Sequence, residues 1–237
     1  MSRPGGRGPV LPYRPLAGVV PCPGGWLVAP GRLQGVTLSP ADPAVLPTLI
    51  DVLDYKPAYE IIALAAPIGL LDEYRRGGRS CEREARRLLG PRRGAAIASA
   101  PPRSALAETS ATQTVSAVAR LRLRSTREAA EQIQPYWQRT VYEVHPELSF
   151  FQLNGDQPLG SSKRTAVGRK ERRELLEARL PGVQRLLEAR PKGMRERHLL
   201  DAAACLWTAR RIAGRAVQRV PEDPEWDSQG LRMEFVR

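Results

Sequence analysis

The stretch Thr140–Phe151, TVYEVHPELSFF, constrains the fold more than any other part of this chain. Read as a strand from Thr140 to His145, it alternates, so Val141, Glu143 and His145 share one face. Side chains two residues apart on a face lie roughly 6–7 Å from one another, which lets Glu143 and His145 reach a single ion or substrate group. Pro146 has no N–H to donate, so it ends the ladder, and it suits the first turn of a helix. Glu147 then sits where a negative charge favours the helix dipole. Three polar groups, Glu143, His145 and Glu147, therefore gather where a strand stops and a helix starts. In open α/β sheets, ligands bind outside the carboxyl ends of the strands. The same pattern also suits a plain strand end whose carboxylates pair with some of the chain's many arginines.

A length of 237 residues and a 42% hydrophobic content are enough for one large domain with trimmings. The formal charge of +12 points to an anionic partner, nucleic acid first among them. Only Lys56, Lys163, Lys170 and Lys192 are lysines, so nearly all the basic residues are arginines. With abundant Ala, Gly and Pro, that is also the composition a GC-rich genome produces. The charge nevertheless clusters between Gly160 and Arg215, where Lys163, Arg164, Arg169, Arg172 and Arg173 form the candidate nucleic-acid-binding set. An arginine-rich solvated helical face is the alternative for that segment. Cys22, Cys81 and Cys205 are odd in number and far apart, which fits a reducing, cytoplasmic setting and argues against a structural zinc site. The longest apolar run, Ile61–Leu71, is too short to span a membrane, and no secretory core follows the N-terminal arginines. No membrane partner is expected, and the oligomeric state is left open.

Residues 1–16, rich in Pro, Gly and Arg, read as a disordered tail, with a single domain over 17–237. Ala17–Val20, Trp26–Ala29 and Leu33–Leu38 read as an antiparallel meander, broken at Pro21–Gly25 and Pro30-Gly31. Asp42–Asp54 is expected as a helix capped by Asp42 with Pro43 in its first turn. Tyr59–Ala65 has the continuous apolar character of a strand buried on both faces. The spacing predicts a helix after Ser80 that Gly90 stops, and a helical region over Ser104–Gln138 burying Ala117, Leu121, Ala129, Ile133 and Trp137. Asn154–Arg164 is a loop. Helices are expected at Arg169–Arg179, Gly182–Ala189 and Glu196–Gly214, and a last strand at Leu231–Val236. On the third of these helices, Asp201 lies among small residues; it can point at a site or pair with a basic neighbour.

A meander, a helix, a buried parallel strand and then α/β alternation predict an α/β fold: a mixed RNase H-like sheet flanked by helices. The motifs CPGGW (Cys22–Trp26), APIGL (Ala66–Leu70), CEREARRLLG (Cys81–Gly90) and EVHPELSF (Glu143–Phe150) follow in order. SKRTAVGRKERRELL (Ser162–Leu176), LDAAAC (Leu200–Cys205) and GLRM (Gly230–Met233) complete the set. Over Ala17–Val236 the chain resembles the bacterial domain-of-unknown-function family 429, whose members are predicted RNase H-like nucleases. That resemblance implies phosphodiester hydrolysis by two Mg²⁺ or Mn²⁺ ions held between clustered carboxylates. The family's first strand reads Gly-Val-Asp before CPGGW, and its buried strand reads Ile-Asp one residue before the Pro-Ile-Gly-Leu turn. Those aspartates fall on Val20 and Ala65 here, so both carboxylates are missing. Glu82 is a conservative departure from the family's acidic residue after the motif cysteine, whereas Glu143, His145, Glu147 and Asp201 match, with Glu143 and Asp201 as the remaining metal ligands. The expectation is a degenerate member: the fold kept, catalysis impaired or lost, and an association with nucleic acid. An Mg²⁺ or Mn²⁺ cofactor belongs to it only if activity survives. Two alternatives stand beside it: an active enzyme with a site rearranged over Asp72, Glu82, Glu143, Glu147 and Asp201, and a protein-interaction scaffold.

Overall fold

Arg14–Cys22 forms strand β1, and its burial on both sides makes it the middle of the molecule. Leu16, Val20 and Cys22 enter one apolar cluster, while Ala17 and Val19 enter the cluster on the opposite face. The fold is that of a computed structural model, which describes residues 12–107 and 117–237, with the backbone alone described at 107 and 117–119. Strand β2 (Gly25–Gln34) returns antiparallel to β1, β3 (Thr37–Pro40) pairs antiparallel with β2, and the short β4 (Ala44–Leu46) also pairs with β2. On the other side of β1, β5 (Ile61–Leu64) is parallel to β1, and β6 (Val141–Glu143) is parallel to β5. The six-stranded sheet has the order β3-β2-β1-β5-β6 with β4 on β2. This is the expected α/β architecture, an antiparallel meander joined to parallel strands and flanked by helices.

Several boundaries differ from the expectation, for physical reasons. Arg14, Pro15 and Leu16, read as tail, belong to β1; Leu16 is fully buried and pairs with Ile61. Of that tail, residues 1–11 lie outside the described residues. Pro30-Gly31 does not break the meander. Pro30 sits opposite Ala17 within β2, and Gly31 leaves room for Leu38, whose Cδ1 would stand 2.8 Å from an added Cβ. Asp42 caps nothing, because Pro47 keeps Leu46 extended and so forbids a helix across it. Helix α1 (Leu49–Leu53) starts later, in a reciprocal cap where Thr48 Oγ1 accepts from Asp51 N and Asp51 accepts from Thr48 N.

Helix α2 (Ser80–Gly94) is interrupted at Gly90, whose φ of +69° only glycine adopts cheaply, and restarts at Pro91. Its N-cap is Arg79 rather than Ser80. The middle segment resolves into α3 (Arg103–Ala107), α4 (Ala117–Gln132) and a 3₁₀ turn at Pro135–Arg139. Ala129 and Ile133 are buried as expected, while the side chain of Ala117 lies outside the described residues. Then follow α5 (Pro146–Leu153), α6 (Ala166–Arg179), α7 (Val183–Glu188) and α8 (Glu196–Ala213). The final strand, β8 (Arg232–Val236), pairs with an unanticipated β7 (Arg219–Trp226) in a separate two-stranded sheet.

One face of the large sheet buries apolar residues of α6, α7 and α8, the other those of α1 and α4. Gly18 lets α8 lie directly on β1: an added Cβ would stand 2.2 Å from both Ala202 O and Leu206 N. Gly31, near Leu16 across the ladder, also meets Leu206, so α8 runs antiparallel to β1. Asp201 is thereby carried toward the C-terminal end of the parallel strands. No helix of the described residues is long and apolar enough to cross a membrane.

Candidate carboxylate site

Register decides which side chains can meet at the strand ends, because cross-strand partners point to the same face. Glu143 lies opposite Leu64, and Leu64 opposite Val19. One residue further on, Ala65 N donates to Val19 O at 2.8 Å and Val144 N to Leu64 O at 2.9 Å, so Val20, Ala65 and Val144 share the other face. Those three belong with the apolar cluster under α8. The two positions where the resemblance expects aspartates are therefore neighbours, as expected, but Glu143 faces away from them. The anticipated convergence of Glu143 with Val20, Ala65 and Asp201 does not form.

On its own face Glu143 is buried in a polar network. Arg79 clamps it through Nη2 at 2.6 Å and Nη1 at 2.8 Å, and Ile68 N donates at 2.6 Å. The same guanidinium donates to Ile68 O, Gly69 O and Glu82 Oε1, while Glu82 accepts from Arg79 N and Ala100 N. Arg79 is 1% exposed and lies over the Phe235 ring. Burial pushes the Glu143 carboxyl up to about 7, against the pull of Arg79. Two carboxylates around one guanidinium leave an excess negative charge that a low-dielectric site relieves by holding a proton.

His145 ends the strand instead of extending it, and its Nδ1 accepts from Glu147 N, making it the cap of α5. Pro146 occupies the first helical position, as its chemistry predicts. Glu147 is gripped by Arg172 Nη2 at 3.0 Å to both oxygens and by Arg93 Nη2 at 2.7 Å. Burial raises the Glu147 carboxyl, but Arg172 and Arg93 outweigh it and hold it below its ordinary value. Burial, and then the Lys163 charge, push His145 down to about 3. The sign follows from linkage: below its ordinary 6.5 the unfolded chain takes a proton on this ring that the folded chain refuses. Stability supplied by neutral His145 is thus present above that value and lost as pH falls toward 3. His145→Asn should retain the cap, since asparagine caps well, but lose less urea resistance than the unaltered chain across this window. Parallel pH dependence in the two proteins would refute the assignment.

Asp201 is 8% exposed, and Lys163 Nζ approaches its Oδ2 to 2.5 Å. Among the described residues its Oδ1 is buried without a hydrogen-bond partner. Burial lifts the Asp201 carboxyl above its ordinary value in spite of Lys163. The carboxylates of the site thus each have an internal cation. This is the arginine-paired strand end set out as the plainer reading, except that a lysine serves Asp201.

The rearranged set is not brought together either. Asp72 is exposed and accepts from Ser228 Oγ, Glu82 and Glu143 share Arg79, and Glu147 and Asp201 belong to separate ion pairs. Among the described residues no group of three or more His, Cys, Asp or Glu could hold a metal ion. Magnesium needs several hard oxygen ligands in a near-octahedral array, whereas Val20, Ala65 and Val144 make their face apolar and Asp201 on α8 is already paired with Lys163. These residues do not fit the implied ions.

The five candidate nucleic-acid contacts divide. Arg172 is completely buried, donating to Ser161 O, Gly168 O and Glu147, so it lies beneath any surface a nucleic acid could touch. Lys163 is held by Asp201, and Arg169 and Arg173 are held by Glu196. Arg164 is exposed. Sequence reasoning missed Arg79 and also Asp227, whose carboxylate accepts from Leu70 N, Gln229 N and Leu231 N and pairs with Arg103. The signal for Arg79 was its place just before CEREAR, beside a strand carboxylate that had to be neutralised.

No curated protein and no solved structure matches the chain. The family described as Protein of unknown function (DUF429) matches residues 18–226, which spans the sheet, the strand-to-helix junction, the buried arginines and α8. The chain belongs to the DUF429 family.

Proposed function

We propose that this chain is an RNase H-like domain that associates with nucleic acid and has lost two-metal hydrolysis. One observation carries the reading: Val20, Ala65 and Val144 share an apolar face at the ends of adjacent parallel strands, and Asp201, which α8 carries toward those ends, is paired with Lys163. Two-metal catalysis needs several carboxylates around one gap, so that one ion activates water and the other stabilises the leaving oxygen. Here the gap has an apolar floor and a fixed ammonium. A lysine charge can hold a phosphate, but it cannot take a water proton while it remains an ammonium. The positive charge concentrated in Gly160–Arg215 supports the nucleic-acid part of the reading.

The test is a cleavage assay on mixed DNA and RNA with Mg²⁺ or Mn²⁺, where no cleavage is expected. Robust cleavage abolished by Asp201→Asn would overturn the reading. A reconstruction probes the same geometry. Val20→Asp with Ala65→Asp should place two new carboxylates beside Asp201, lowering the melting temperature in chelator and restoring it with Mn²⁺. Ala65 is only partly buried, so Ala65→Asp alone serves if the double variant does not fold. A melting curve indifferent to Mn²⁺ in both variants would show that the strand ends do not face Asp201.

A further inference from the structure

Beyond the carboxylates, Arg164 and Arg169 border a cleft of about 710 Å³ with Arg190, Lys192, Arg195 and Arg197, and Glu196 is its one acidic residue. Glu196 is engaged by Arg169 and Arg173. Among the described residues, Arg164, Arg190, Lys192, Arg195 and Arg197 make no ion pair, in contrast to the neutralised cations a few residues away. Local backbone geometry produces this concentration. Gly193 takes φ +81° in a turn closed by Met194 N donating to Pro191 O at 3.1 Å, which sets Arg190, Lys192 and Arg195 around one bend. That bend leads directly into the 18-residue α8, whose N-cap Arg195 supplies no side-chain acceptor. His198 N is taken by Arg195 O at 2.9 Å, so among the described residues the first-turn N–H groups of Glu196 and Arg197 lie without a side-chain cap at the same place as the unpaired cations.

We infer that this cleft is the surface on which the phosphodiester backbone of duplex nucleic acid is held, an inference resting on the proposed association with nucleic acid. The chemistry of the lining selects the ligand. Guanidinium groups present paired donors that match phosphate oxygens, and several unneutralised cations around one concavity suit a chain of phosphates. Among the described residues the lining holds no aromatic side chain on which an unpaired base could stack and no Asn or Gln to read a base edge. Contacts to the backbone alone bind duplexes with little regard to sequence. The cleft lies beyond the N-terminus of α8, one turn before Asp201. It is therefore next to the carboxylate face without using Lys163 or Arg172, which are committed to internal pairs.

The experiment follows binding of a fluorescent mixed-sequence DNA duplex by anisotropy over a salt series. The unaltered protein should bind, with affinity falling steeply as salt rises. The triple change Arg190→Gln, Lys192→Gln and Arg195→Gln removes three cations at the surface, so its melting temperature should be unchanged. Its affinity should fall at least about ten-fold, and the slope of log affinity against log salt should shrink by about 0.9 for each phosphate that is no longer neutralised. An equal reduction of charge on α2, by Arg76→Gln just before it with Arg87→Gln and Arg92→Gln, should change affinity less than about two-fold. A cleft variant that binds like the unaltered chain overturns the inference while leaving the association with nucleic acid intact. So does an α2 variant that weakens as much, a single strand that binds more tightly than the duplex, or polyglutamate that competes as well as unlabelled duplex. No duplex binding by the unaltered chain at low salt would instead remove the nucleic-acid reading itself.

Discussion

Arg79→Met should destabilise the protein by about 3–5 kcal/mol, the range for removing one partner of a buried ion pair. The guanidinium satisfies Glu143, Glu82 and the Ile68 and Gly69 carbonyls at once, and it is 1% exposed, so water cannot replace it. The change in packing against Phe235 adds little, because methionine fills a similar volume. The electrostatic origin makes the destabilisation pH-dependent with a definite sign. Glu143 already titrates up at about 7 through burial, and without Arg79 its proton is held more tightly still. A group whose folded pKa is raised gives stability below that value and withdraws it as pH rises, so the variant's deficit should be larger at about pH 8 than at about pH 5. Adding Glu143→Gln should recover part of the deficit at the higher pH. Urea unfolding of the four proteins of this cycle is the measurement. A deficit independent of pH and unrelieved by Glu143→Gln would mean that Arg79 acts by shape alone.

Gly18→Ala should be at least as damaging. The added methyl would stand 2.2 Å from Ala202 O and Leu206 N and 2.8 Å from Cys205 C, all backbone atoms of α8. No side-chain rotation relieves that contact; α8 must move off the sheet. Overpacking in a core ordinarily costs about 1–3 kcal/mol, and a clash with backbone belongs at or above the top of that range. Gly214→Ala is the matched control, since its nearest heavy atom would be 3.5 Å away and its φ of −87° suits alanine. It should stay within about 0.5 kcal/mol of the unaltered chain. Equal melting temperatures for the Gly18 and Gly214 variants would show that α8 does not seat on β1 through Gly18.

The sequence by itself determined the elements whose causes are local. Pro146 after an alternating stretch set the strand-to-helix junction, Gly90 set the break in α2, and the apolar run around Ile61–Leu64 set a strand buried on both faces. The motif order also carried the family and the α/β mixed sheet. The tertiary structure decided what depends on partners distant in the chain. Glu143 is legible as a buried strand carboxylate, but its turn away from Val20 and Ala65 is a matter of register, where a one-residue step sends a side chain to the opposite face. Arg172 and Arg173 are neighbours of the same type; one is wholly buried on Glu147 and the other bridges to Glu196 near the surface, because successive residues of α6 point about 100° apart around the helix. Pro30 reads as a breaker, yet β2 continues through it because neighbouring strands and Leu206 hold it there. Turn and cap preferences act between residues adjacent in sequence, whereas ion pairs and strand faces act through space, between residues whose separation in the chain says nothing of their distance.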